Sequence, residues 1–332
     1  MNSFGWKSVL WFVAILGSGA ARSGTAPADG PVPVPTTAAQ FDRLEWTKAH
    51  EGERLDLHGY RIVWEDRFDT LAVASDRKTI ATAPAGTRWF APGHPASGHE
   101  AWYGPDNEAG YDVLGLVDDA EGRHLRMSLL RDPDSGRWVS PCLQTVDRNG
   151  QGFTQALGYF EARIRLPDSQ SRPVRGIWPA FWTYTVNRYT SSHEQMVEFD
   201  VIELYGGMPA DATNRQTHSA VHLVPNRQPL AGGLEKRMHK GRIRTVDTLL
   251  FDGRWHRYGG LVTHDWFIVY LDGRELCRIP NFPEGRKPRY LLLDINELSG
   301  GNAPVGQGPY HVLVDDVRVW APPAQATHGS SP

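Results

Sequence analysis

The chain is expected to be all-β, an antiparallel β-sandwich, on three observations. Apolar residues recur at every second position in several segments, which is the period of a strand with one buried face. Gly, Pro and Asp interrupt those segments at short intervals, as turns between short strands require. No long stretch of the 332 residues follows a helical period, and no internal repeat divides them, so one large sandwich is the simplest account.

Residues 1–21 have the form of an export signal: Lys7, an apolar run at 9–16 and small residues at 17–21, with a cleavage site near Ala20 or Ala21. The run is too short to span a bilayer, so the mature chain is expected to be exported, periplasmic or secreted, with no membrane contact after signal removal. Residues 22–40, Pro/Ala-rich at 25–37, read as an extended linker, and 321–332 as a tail of the same character. The domain is expected to fill 41–320.

Within it, Phe160, Ala162, Ile164 and Leu166 alternate with Glu161, Arg163 and Arg165, a half-buried strand. Residues 266–271 and 274–279 flank Asp272-Gly273, a hairpin with a type I′ turn. Further strands are expected at 124–130, 217–223, 290–295 and 311–320. Cys142 and Cys277 are far apart in sequence and are expected to be separate buried thiols rather than a bridge. A net charge of -3 carries no basic excess to neutralise phosphates, which argues against a nucleic-acid partner. The 12 Trp and 11 Tyr suit either a sandwich core or stacking on flat ligand faces.

The segment 197–203, Val-Glu-Phe-Asp-Val-Ile-Glu, carries three carboxylates on one predicted strand. Glu198 and Asp200 share a face, while Val197, Phe199 and Val201 point to the core. Glu203 breaks that parity unless an extra residue at Val201-Ile202 forms a β-bulge and turns it back. Like charges so placed repel, and at least one of them should hold its proton to higher pH. The residues alone leave three readings open, a catalytic acid pair, an oxygen-rich calcium site or a solvated strand face.

Several segments, in order, resemble glycoside hydrolase family 16, the retaining endo-β-glucanases with a concanavalin A-like jelly roll. They are Trp64-Glu65-Asp66-Arg67-Phe68, Gly158 to Arg163, Trp178-Pro179-Ala180-Phe181-Trp182, Glu198 to Glu203 in the bulged form, Asn296 followed by Gly300-Gly301, and Asp315 to Trp320. The resemblance implies an endo-acting hydrolase of a β-linked polysaccharide, with Glu198 as nucleophile, Asp200 as assisting acid and Glu203 as general acid/base. In such an enzyme the two working carboxyls sit about 5–5.5 Å apart. The strand rise separates these positions by about 13 Å at Cα, so only the longer glutamates can lean together. Reach therefore selects Glu198 and Glu203 over Asp200, and the order of their roles rests on the resemblance.

Further candidates line the expected cleft. Trp178 and Trp182, read as lying in a loop, offer indole faces to sugar rings. His222 follows the catalytic strand and is expected to bond Glu203 or a sugar hydroxyl, with His218 sharing its parity. Asn107, in the segment Asp106-Asn107-Glu108 that resembles the family's Asn-Asn-Glu with Asp in place of the first Asn, and Asn296 are expected to touch substrate. Two further departures are visible: Glu297 stands where many relatives carry an apolar residue, and 227–244 holds Arg227, Lys236, Arg237, Lys240, Arg242 and Arg244 against Glu235 alone. Such a loop either binds an anionic polysaccharide or is a solvated surface. No cofactor is required, although the family suggests a structural calcium near Asp316, and a monomer is expected.

Overall fold

The computed structural model describes residues 41–74, 78–91, 104–105, 107, 110–191, 194–225, 237–298 and 303–323. The expected signal, the linker and nearly all of the tail lie outside them, as do Arg227, Glu235, Lys236, Asp106, Glu108 and Gly300-Gly301. In chain order the strands are β1 (Arg61–Asp66), β2 (Val73–Ala74), β3 (Trp89–Phe90), β4 (Leu114–Asp119), β5 (Gly122–Arg131), β6 (Trp138–Val139), β7 (Cys142–Gln144), β8 (Gly158–Arg165) and β9 (Ile177–Thr185). A helical turn α1 (Asn187–Thr190) follows, then β10 (Met196–Glu203), β11 (Gln216–Val224), β12 (Met238–Thr245), β13 (Trp255–Val262), β14 (Trp266–Leu271), β15 (Arg274–Pro280), β16 (Arg289–Glu297) and β17 (Tyr310–Ala321).

These strands make a two-sheet jelly roll. One sheet runs β15-β14-β13-β8-β17-β5-β4, with β1 on β17 and β6 on β5; the other runs β12-β11-β10-β9-β16-β7-β3-β2. Pairing is antiparallel apart from β2 with β3. All described residues belong to one compact unit. The main core lies between the sheets: Phe160, Ala162 and Ile164 from β8 meet Phe181 from β9, Phe199 from β10 and Leu293 from β16. Alternation at two-residue spacing is what allows each strand to bury one face there.

The hairpin turn is as expected. Asp272 (φ 49°) and Gly273 (φ 72°) both adopt the left-handed conformation that a type I′ turn needs. Residues 177–185 differ from expectation, because they form a central strand rather than a loop. Pro179 has no N–H to donate, yet it stands within this strand. Its carbonyl accepts from Leu204 N at 3.0 Å and that of Ile177 from Gly206 N at 3.0 Å, so bonding to the chain that leaves β10 continues on both sides of the proline.

Cys142 on β7 and Cys277 on β15 are both free and fully buried, in different sheets. Burial pushes the Cys277 thiol up to about 12 and Cys142 well above its ordinary value, so neither is a ready thiolate. In the native protein a disulfide-exchange reagent is expected to label no thiol; denaturation without reductant should release two. Fewer than two would reveal a bridge.

Candidate active site

The acid strand β10 lies between β9 and β11, and its register contains the expected irregularity. Against β11, Glu198 pairs with His222 and Asp200 with Ala220, yet the next pair is Glu203 with His218. Against β9, Asp200 pairs with Trp182, then Ile202 with Phe181 and Glu203 with Ala180. One extra residue thus sits at Val201–Ile202, a β-bulge, and both of those side chains are buried in the core. Parity is reset, so Glu203 returns to the outer face shared by Glu198 and Asp200. The opposing sheet accommodates this at Gly260 of β13, where a Cβ would fall 2.7 Å from Val201 Cγ2 and 2.8 Å from Phe199 Cε1. Only glycine permits that approach.

Each acid has its own partners. Asp200 Oδ2 lies 3.0 Å from His222 Nε2, and Glu198 Oε1 lies 3.7 Å from the same nitrogen. Glu198 Oε1 also accepts from Arg237 Nη2, while Arg237 Nε donates to His222 Nδ1 at 3.0 Å. Glu203 Oε2 is 2.6 Å from His218 Nδ1, and Tyr205 donates its hydroxyl to Glu203 Oε1 at 3.4 Å. The bulge explains why His218, not His222, meets Glu203. His222 is the cross-strand partner of Glu198, and the expected His222–Glu203 bond is replaced accordingly.

Burial in this crowded site sets the proton affinities. It pushes Glu198 up to about 7, helped by the charge of Asp200 and opposed by His222 and Arg237. Burial and the charge of Glu203 hold Asp200 well above the ordinary aspartate range. For Glu203 burial also acts upward, but the His218 hydrogen bond and charge outweigh it and leave the carboxyl below its ordinary value. His218 is held up in return by Glu203 against its own burial, and burial takes His222 down to about 4.

Glu198, Asp200 and His222 each offer a donor atom within 4.8 Å of one another, a spacing that could hold a metal ion. Calcium takes six to eight oxygens, which two carboxylates and an imidazole do not supply. The guanidinium of Arg237 already bonds two of the three residues. At the other expected cation position, Asp316 accepts from Arg257 at 3.1 and 3.2 Å and lies 3.4 Å from Arg318. Two arginines thus stand where a calcium ion was anticipated.

Trp178 and Trp182 lie on the outer face of β9 with Ala180 and Tyr184, half-buried beside the acids. Trp178 meets Tyr205 edge-on at 5.7 Å, and Trp182 Nε1 donates to Asp294 Oδ2 at 2.7 Å. Asn296 is on the same face across from Trp178, buried, donating to Asp294 Oδ1 at 2.8 Å and accepting from Ser140 at 3.3 Å. Asn107 turns inward on its own loop: Nδ2 donates to Gly104 O and Tyr111 O, and Oδ1 accepts from Tyr111 N, each at 2.9 Å. Its amide is spent on loop closure rather than offered to a ligand.

The basic segment also divides by parity. On β12, His239, Gly241 and Ile243 pair with His222, Ala220 and His218 and share the outer face, so Lys240, Arg242 and Arg244 point the other way. Lys240 Nζ donates to Asp42 O and Arg244 pairs with Glu51. Of that cluster's described residues, Arg237 alone contacts the acids. Sequence reasoning missed three members of the site. Asp294, a fourth buried carboxyl held well above its ordinary range by burial, was legible from its parity with Asn296. Tyr205 had no such signal, and Arg237 was singled out only as part of the basic segment; both lie outside the strands.

No family model matches the chain. Among curated proteins it is similar to the endo-1,3-1,4-beta-glycanase EglC of Rhizobium meliloti (strain 1021), 26% identical over 51% of this chain and 31% of that protein. It is also similar to the endo-1,3-1,4-beta-glycanase ExsH of the same organism, 24% identical over 73% of this chain and 49% of that protein. The chain thus spans about a third and about half the length of these relatives. Among solved structures it is similar to a Bacteroides ovatus mixed-linkage-glucan GH16 protein in complex with a product. The TM-score is 0.58 and the identity 17%, over 78% of this chain and all of that one. The laminarinase catalytic domain of Thermotoga maritima gives a TM-score of 0.54 at 17% identity, over 79% of this chain and 98% of that one. At such identities the likeness is one of fold, and it is the fold that the motif resemblance implied.

Proposed function

We propose that this chain is a family 16 glycoside hydrolase, an endo-acting enzyme that cleaves internal bonds of a β-linked polysaccharide with retention of configuration. The reading is carried by the bulge, which sets Glu198 and Glu203 on one face around Asp200 and gives each glutamate a different partner. Glu198, whose carboxylate accepts from Arg237, is the nucleophile that attacks the anomeric carbon. Glu203 and His218 hold a proton between them at 2.6 Å, and Glu203 delivers it to the departing oxygen. Water then enters, Glu203 takes its proton, and the glycosyl-enzyme ester opens. Asp200, between the two, keeps the Glu198 carboxyl oriented and couples their titrations. The half-buried indoles of Trp178 and Trp182 supply stacking faces for sugar rings. Neither step uses a metal. Export through residues 1–21 and action as a monomer complete the proposal.

The test is reducing-end release across β-1,3-, β-1,4- and mixed-linkage glucans, a galactan and an acidic polysaccharide. Endo action is expected as a viscosity loss that runs ahead of reducing-end formation, with β-configured products. Inverted products would remove the retaining mechanism. Tight binding with no cleavage across the panel would instead make the chain a carbohydrate-binding protein. Longer chains on adding acceptor oligosaccharides would make it a transglycosylase.

A further inference from the structure

We propose that Arg237 is a positioning residue for the nucleophile: one guanidinium bonds the Glu198 carboxylate and, through a second N–H, fixes His222 in the tautomer that donates to Asp200. The inference rests on the assignment of Glu198 as nucleophile. Arginine has only donors, so the nitrogen that receives Arg237 Nε, His222 Nδ1 at 3.0 Å, carries no proton. The ring proton must then be on Nε2, where it points at Asp200 Oδ2 at 3.0 Å. His222 is thereby neutral and acts as a directed donor rather than as a charge, in keeping with burial taking it down to about 4.

Of the two groups that favour an ionised Glu198, His222 and Arg237, the tautomer leaves His222 neutral and Arg237 is the one that carries a permanent charge. Asp200 and Glu203 on its own strand repel a negative charge there, as does Asp294 from β16. Tyr184 from β9 is a neutral phenol with the Arg188 guanidinium on its ring at 5.0 Å. From β11, His218 spends its charge on Glu203. From β12, His239 meets His222 at 4.4 Å with the rings tilted by 57°, and is itself taken down to about 4 by burial. Among the described residues, the permanent cation in hydrogen-bond contact with Glu198 is Arg237. It lies just before β12 with 46% of its side chain exposed, so replacing it opens no cavity in the core.

The sign follows directly. The nucleophile works ionised, and removing a cation raises its proton affinity, so the ionised fraction falls at acid pH and recovers at alkaline pH. Arg237→Gln is expected to move the acid limb of the kcat/KM profile up by about one pH unit. The corresponding loss is about tenfold on the acid side of the limb and shrinks as pH rises. Arg237→Lys restores the charge without the two-pronged geometry, so it should return most of the limb. A limb unmoved in Arg237→Gln overturns the proposal. So does a loss of equal size at every pH carried by KM, which would make Arg237 a substrate contact.

Two measurements need no activity and separate this proposal from the function it rests on. In unliganded protein labelled with 13C at glutamate carboxyls, the Glu198 resonance, assigned by its loss in Glu198→Gln, should titrate at higher pH in Arg237→Gln. The 15N shifts of His222 should report an Nε2–H tautomer in the native protein and a mixture in the variant. If the wild type cleaves no glycan while both shifts appear, the function fails and the electrostatic role stands. If it cleaves glycan and neither shift appears, the reverse holds.

Discussion

Replacing Glu198 by glutamine should abolish hydrolysis, with kcat/KM falling by roughly 10⁴-fold or more, as expected when an enzymatic nucleophile is removed. Glutamine keeps the shape and retains an oxygen for Arg237, so the loss reports the missing negative charge at the anomeric carbon. Stability should move the other way above neutral pH. Burial pushes Glu198 up to about 7, so its contribution is fully present below the ordinary glutamate range and is lost as pH rises through about 7. At pH 8 the wild type carries the cost of a buried ionised carboxylate and the variant does not. Thermal melting at pH 8 should therefore show Glu198→Gln at least as stable as the wild type, with any advantage gone at pH 4. A variant that is inactive and much less stable at both pH values would point to misfolding, and full activity would remove Glu198 from the mechanism. Adding azide to Glu198→Ala should yield a glycosyl azide of inverted, α configuration, because azide occupies the space the carboxylate left.

The second large effect is at Glu203. Glu203→Gln should lose on the order of 10²–10⁴-fold on a natural polysaccharide, the usual worth of a positioned general acid. With an aryl glycoside whose leaving group needs no proton, the first step should be nearly unaffected and the glycosyl-enzyme should accumulate as a burst. Azide should then give the β-configured product. These outcomes order the two glutamates by chemistry. The free site alone would suggest the opposite order, since burial raises Glu198 while His218 keeps Glu203 low. The Arg237 bond and the proton shared with His218 are the features that reconcile it with a Glu198 nucleophile. If Glu203→Ala with azide gave the α product and Glu198→Ala the β, the roles would be exchanged.

Much of this architecture was visible in particular residues. The Phe160-to-Leu166 alternation and the Asp272-Gly273 turn correspond to β8 and to the β14–β15 hairpin because period and left-handed turn chemistry are local properties. The bulge was legible as well, since three acids and the apolar residues between them satisfy one outer face only if a residue is inserted. The loop reading of 178–182 came with the resemblance, whereas β9 is held as a strand by pairing with β10 and β16, partners distant in sequence. Strand parity could have divided the basic segment beforehand, turning Lys240, Arg242 and Arg244 away from the acids.

The sequence by itself determined the sandwich, the acid trio and the parity reset, because each follows from side-chain alternation within one strand. Tertiary structure decided the pairings that set proton affinity: His218 rather than His222 on Glu203, Asp294 behind Trp182, and Arg237 on both Glu198 and His222. Those contacts join segments up to 112 residues apart. Their register is fixed by neighbouring strands and by the close approach at Gly260, neither of which is encoded in the spacing of the acids themselves.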